Sequence, residues 1–201
     1  MRACAAVLLT AVLAAPVLAR DARPDPVAGI EGVYKHRFKN GIVTPPGTPQ
    51  ETYDAEDIVE IVRYDDTHVY VRAELNFYNG HTCSISGIAG LEKDGFVFRD
   101  PEMLPKEAPQ CQLRVNKVGD KLHLTDRVTP DGVATCRSHG GARGSLSDFS
   151  IPLSKRRPIR YMDRIKSSSR YLKAIRDLQV SNLQRSDPGT TPDEVQRRHH
   201  E

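Results

Sequence analysis

The cysteines, histidines and one arginine of this 201-residue chain have the types and spacing that suit chemistry. Cys83, Cys111 and Cys136 lie in the body of the chain, and Cys4 lies near its start. His81 and Cys83 are two residues apart, so a strand would place them on one face, as a base beside a nucleophile. Cys83 is also the better disulfide candidate. It and Cys111 both sit at strand-like segments, and a bond between them would close a long loop, worth about 2–4 kcal/mol. A disulfide sulfur is no nucleophile, so His81 is read as a polar turn residue or a binding residue. Cys136 is then left over, as an inert thiol, as a reactive or intermolecular one, or as part of a different pairing. Arg143 stands among Gly140, Gly141 and Gly144, where the backbone can turn sharply and approach a partner closely. Its guanidinium suits a carboxylate or an aromatic face. His36, His68, His123 and His139 share no spacing that would converge on a metal.

Motifs that carry a mechanism are missing. No glycine loop ends in Lys-Ser/Thr, and there is neither a Gly-x-Ser-x-Gly elbow nor a His-Glu-x-x-His pair. No two carboxylates stand out as an acid–base couple. The reading is therefore non-catalytic, with no metal and no cofactor. The compartment follows from Met1–Ala19, which has Arg2 near its start, an apolar run from Ala5 to Leu18, and the small-residue pattern Val17-Leu18-Ala19. That is the pattern of a cleaved secretory signal, and it predicts an oxidising, extracytoplasmic compartment, periplasmic or secreted, where disulfides persist.

The elements that must position these residues are read as mainly β. Residues 20–30 form a flexible leader. From Glu31, short strands follow one another, with turns at Asn40-Gly41, Asp65-Asp66, Asn79-Gly80, Lys93-Asp94-Gly95, Gly119-Asp120 and Pro130-Asp131-Gly132. The clearest is His68–Phe77, where Val69, Val71, Ala73, Leu75 and Phe77 alternate with polar residues. Val133–Cys136 and Leu146–Leu153 are read as late strands. About eight strands without an intervening helix predict a single antiparallel β-barrel over residues 31–154, lipocalin-like or up-and-down, which removes exposed sheet edges. Beyond it, Tyr161, Ile165, Leu172, Ile175 and Leu178 recur at helical spacing between basic residues, predicting one amphipathic basic helix over Ile159–Gln184 within a segment 155–184. That helix has three uses: packing across the barrel, lying on an anionic membrane surface, or docking an acidic partner. Residues 185–201 read as a disordered tail. The aromatics are not interleaved with the charges, so nucleic acid is not expected as a partner.

The run Cys136-Arg137-Ser138-His139-Gly140-Gly141-Ala142-Arg143-Gly144-Ser145-Leu146 resembles the C-terminal signature of small secreted bacterial domains that end Cys-Gly-Ala-Arg-Gly-Ser-Leu. Gly80-His81-Thr82-Cys83, with Gly87 and Ala89, is similar to an earlier motif of the same group. Gly140 stands where the resemblance has a second cysteine. By style, the nearest characterised neighbours are periplasmic lysozyme inhibitors built on small β-barrels. Their Ser-Gly-x-x-Tyr loop is not present, since Ser86-Gly87 is followed by Gly90. The resemblance implies an extracytoplasmic binding protein, with blockage of a cell-wall hydrolase as its concrete form. Asn79, His81, Gly141 and Arg143 would contact that enzyme or another envelope protein. The rival reading is a lipocalin-like carrier of a small apolar ligand, with an interior lined by Val69, Val71, Leu75 and Phe77.

Overall fold

The computed structural model describes residues 25–101, 109–140 and 143–186. The signal segment with Cys4, the start of the leader, Gly141 and residues 187–201 lie outside the described residues.

Among the described residues, nine antiparallel strands form one sheet. They are β1 (Gly32–Ile42), β2 (Glu51–Arg63), β3 (His68–Asn76), β4 (Thr82–Glu92), β5 (Gly95–Arg99), β6 (Gln112–Val118), β7 (Lys121–Asp126), β8 (Phe149–Pro152) and the two-residue β9 (Arg156–Arg157). Their order in the sheet is β8-β7-β6-β5-β4-β3-β2-β1-β9, an up-and-down meander. The two outermost strands, β8 and β9, are joined only by the 3₁₀ turn Leu153–Lys155. So short a link holds opposite edges of the sheet together, and the sheet is therefore rolled into a nearly closed barrel.

Alternation decides what fills it. Val69, Val71, Ala73 and Leu75 of β3 point inward and are fully buried. Val59, Ile85, Phe96, Leu113, Val115, Leu122, Leu124 and Ile151 meet them in one contacting cluster. The interior is thus occupied by the chain's own side chains.

Five expectations are corrected. Residues 25–30 are not a loose leader: Val27 and Ile30 join the interior cluster, and the Tyr34 hydroxyl donates to the Ile30 carbonyl at 2.7 Å. β1 does not turn at Asn40-Gly41 but runs on to Ile42, paired with β2 down to Glu51. Asn40 is buried there, and its amide donates to the Phe77 carbonyl and the Tyr53 hydroxyl. Val133–Cys136 is no strand; only a single bridge joins Val128 to Ala134. Disulfide pairing also differs: Cys111 bonds Cys136, with Cα atoms 4.4 Å apart, and Cys83 is the free, buried thiol. Strand β5 lies between β4, which carries Cys83, and β6, which follows Cys111. Two interstrand steps separate them by about 10 Å, beyond the reach of a disulfide. Finally, the basic segment is two helices, α1 (Met162–Lys166) and α2 (Ser169–Ser186), broken at Ser167-Ser168. The Ser168 hydroxyl donates back to the Ile165 carbonyl at 2.7 Å and accepts from the Tyr171 amide at 3.2 Å, ending one helix and capping the next.

Both helices lie on the outside of the barrel. Ile165, Tyr171 and Ala174 bury Val62, Tyr70 and Ile88, which point outward from β2, β3 and β4. Tyr70 and Tyr171 meet edge to face, with ring centroids 4.9 Å apart. The apolar helix stripe is therefore used in packing.

Candidate functional site

The two ends of the barrel are unlike. At one end the strands are joined by the tight connections 64–67, 93–94 and 119–120, and by the turn Leu153–Lys155. At the other end lie all the long connections: 43–50, 77–81, 100–111 and 127–148. A rigid wall with its variable-length loops gathered at one mouth is the usual way a barrel presents a binding surface.

The 127–148 excursion is held over that mouth at four points. Arg127 and Thr135 continue the ladder of β6 and β7: the Arg127 amide bonds the Gln112 carbonyl at 2.9 Å, and the Thr135 amide bonds the Arg127 carbonyl at 2.9 Å. Asp126 is buried, and its carboxylate accepts from the Thr135 hydroxyl at 2.8 Å and from the Cys136 amide at 2.9 Å. The Cys111–Cys136 bond ties the segment to the start of β6. Past it, His139 Nε2 lies 2.8 Å from the buried carboxylate of Asp100, just after β5, which fixes the 3₁₀ turn Arg137–His139. Leu146 then returns to the interior cluster.

Between those anchors runs the glycine loop. Its close is local: the Gly144 amide donates to the Gly140 carbonyl at 3.1 Å. Both glycines press on the free thiol. A methyl group built on Gly140 or on Gly144 would overlap Cys83 Sγ, so only glycine permits this approach. Burial alone pushes the Cys83 thiol up to about 11, which favours its protonated form. At Gly144 the loop also abuts Phe77, the residue that opens the β3–β4 turn.

The structure therefore brings the two predicted loops together at one rim. Asn79 adopts a left-handed conformation at φ 61°, and its Oδ1 accepts from the Val43 amide at 3.2 Å, tying the turn to the end of β1. That side chain is a brace for the rim. The His81 carbonyl accepts from the Phe77 amide at 2.7 Å, and its imidazole makes no hydrogen bond among the described residues. His81 and Cys83 are on one strand face in spacing only; the thiol faces the interior, packed against glycines. Arg143 is exposed, and its guanidinium makes no hydrogen bond or ion pair among the described residues. Arg137, on the same tethered segment, is exposed as well. Sequence reading missed the Asp126 clamp and the Asp100–His139 contact, because each joins residues with no shared motif. Among the described residues, no group of three or more His, Cys, Asp or Glu is placed to hold a metal.

Two concavities lie on the wall. A groove of about 610 Å³ runs between α2 and the outer faces of β4 and β5, past Ile88, Val97, Arg99 and Leu178. Another, of about 370 Å³, lies at the corner between α1 and α2. No family model, no curated protein and no solved structure matches the chain.

Proposed function

We propose that this is a non-catalytic extracytoplasmic binding protein whose loop-bearing mouth docks on a partner, and that the partner is a cell-wall hydrolase of the lysozyme class, inhibited by blockage of its cleft. The observation that carries the reading is Arg143. It is exposed and makes no hydrogen bond or ion pair among the described residues, and it stands on a segment anchored by a disulfide and a buried aspartate at Cys136 and by glycine–thiol contacts at Gly140 and Gly144. An exposed cation flanked by such anchors suits a pair of catalytic carboxylates, because an anchored backbone loses less conformational freedom on docking. Arg137 adds a second positive charge to the same segment. Glycosidase clefts carry two such carboxylates, which gives the match its chemistry.

The carrier alternative finds less support. Val69, Val71 and Leu75 are fully buried against other interior side chains, and Phe77 packs at the rim. The Cys111–Cys136 bond agrees with export to an oxidising compartment. The test is a titration of the purified protein, from Arg20 onward, against a panel of muramidases, followed by lysis of cell-wall suspensions. Stoichiometric loss of lysis with one enzyme is the expected result. Undiminished lysis by every member at large excess would remove the inhibitor reading.

A further inference from the structure

The cavity at the corner of α1 and α2 stands apart from the loop-bearing mouth, and its charges do not balance. Arg72, Arg164 and Arg170 line it, together with Glu60, Tyr70 and Tyr161. Arg72 is committed: it donates to Glu60 at 3.0 Å and to Glu74 at 2.6 Å. Glu60 is buried, and its other oxygen accepts from the Tyr161 hydroxyl at 2.6 Å, so both of its oxygens are occupied. That leaves two guanidiniums. Arg164 lies over the Tyr161 ring, 4.8 Å from its centroid, and neither it nor Arg170 forms an ion pair among the described residues. Both are exposed at the open side.

The backbone adds to this field. Ser168 caps the Tyr171 amide, and the amides of Ser169 and Arg170 precede the capped one at the start of the eighteen-residue α2. They are the positive end of that helix. The chain enters the corner through Lys155, Arg156, Arg157 and Arg160, all exposed, so residues 155–170 carry seven cations against Asp163 alone. Bilayer insertion would not use this face, since the apolar stripe of α1 and α2 is already packed on Val62, Tyr70 and Ile88. The exposed chemistry is donors and positive charge.

We propose that this corner binds a phosphate group carried on a larger molecule, with Arg164 and Arg170 clamping the oxyanion and the start of α2 completing the donor set. Guanidinium pairs give the short, bidentate bonds that phosphate takes. A volume of about 370 Å³ exceeds a bare anion and leaves room for the alcohol that bears it. The flanking cations would draw in a polyanion, such as a phosphate-bearing polymer or an anionic lipid surface, with strong salt dependence.

The test uses the full chain, isotope-labelled, titrated with inorganic phosphate while sodium chloride holds the ionic strength constant. Saturable shifts of the Ser169 and Arg170 amides are expected. They should weaken by at least about tenfold in Arg164→Gln/Arg170→Gln and persist in Arg37→Gln, with interior resonances such as Val71 unmoved in each variant. A second arm sediments the protein with phosphatidylcholine vesicles with and without phosphatidylglycerol. Co-sedimentation that needs phosphatidylglycerol and is lost in the double variant assigns the phosphate to a lipid headgroup. Phosphate binding without vesicle binding assigns it to a soluble or polymer-borne ester. Shifts that chloride reproduces, shifts that survive the double substitution, or no shifts at all would overturn the proposal.

Discussion

At the scale of single residues, the contact between Gly140 and Cys83 is the most exacting feature of the mouth. The thiol fills the space that a Cβ would take, so Gly140→Ala must overpack the seat of the loop. Overpacking of this kind costs about 1–3 kcal/mol. Denaturant unfolding should show that loss, and Cys83→Ala should recover part of it in the double variant while costing stability alone. Equal, additive losses would contradict the contact. The thiol should resist alkylation in the native protein near pH 8 and react once unfolded, because burial holds it up to about 11. Little of this was legible beforehand. Three body cysteines give an odd count, and spacing cannot distinguish the pairings. Cys111 and Cys136 meet only because β7 returns the chain beside β6 and the Thr135 amide extends that ladder. Arg143 was legible, since an arginine among glycines advertises an exposed turn. That it has no hydrogen bond or ion pair among the described residues was not, because that depends on where Asp100, Asp126 and the loop carbonyls fall.

Among the elements, the strands were the legible part. Inward and outward positions of β3 follow the hydrophobic alternation, and most turns fall at their glycines and aspartates. The failures have physical causes. Asn40-Gly41 is a turn dipeptide, yet long pairing with β2 and the hydrogen bond from Asn40 to Phe77 keep it in the strand. Tyr70 reads as an outward, solvated residue, and it is buried because α2 covers it. The helix therefore belongs to the fold. Tyr171→Ala should cost about 3 kcal/mol in urea unfolding, the scale for removing a buried aromatic. A change within experimental error would mean that α2 is not docked in solution. The Cys111–Cys136 bond has a sequence separation of 25, and removing it by Cys111→Ala/Cys136→Ala should cost about 3 kcal/mol on the loop-entropy scale. Binding should suffer along with stability, since the same bond tethers Arg143.

For the molecule as a whole, buried tyrosines set the expected response to alkali. Tyr34 and Tyr161 are each pushed up to about 12, the first by burial, the second by burial and then by the Glu60 carboxylate that accepts its hydrogen bond. A group whose pKa is raised in the folded state favours folding while it stays protonated in both states. These contributions are therefore complete below about pH 10, the ordinary tyrosine value, and are lost as pH rises towards 12. Absorbance titration should show a late-ionising set among the seven tyrosines, with stability falling over the same interval. All seven ionising near pH 10 in the folded protein would contradict that burial.

The same whole-molecule view separates the working faces. Val27 and Ile30 join the interior at the tight-turn end, α1 and α2 cover the wall at β2–β4, and the opposite mouth carries the long loops. The mouth, with Arg143 on it, is the proposed docking face. The most direct measurement compares the native protein with Arg143→Glu as inhibitors of the muramidase identified by titration, with equal melting temperatures as the check on folding. Reversing the charge should raise the inhibition constant by about a hundredfold or more, the cost of turning an ion pair into a repulsion. An unchanged constant in a correctly folded variant would contradict the account.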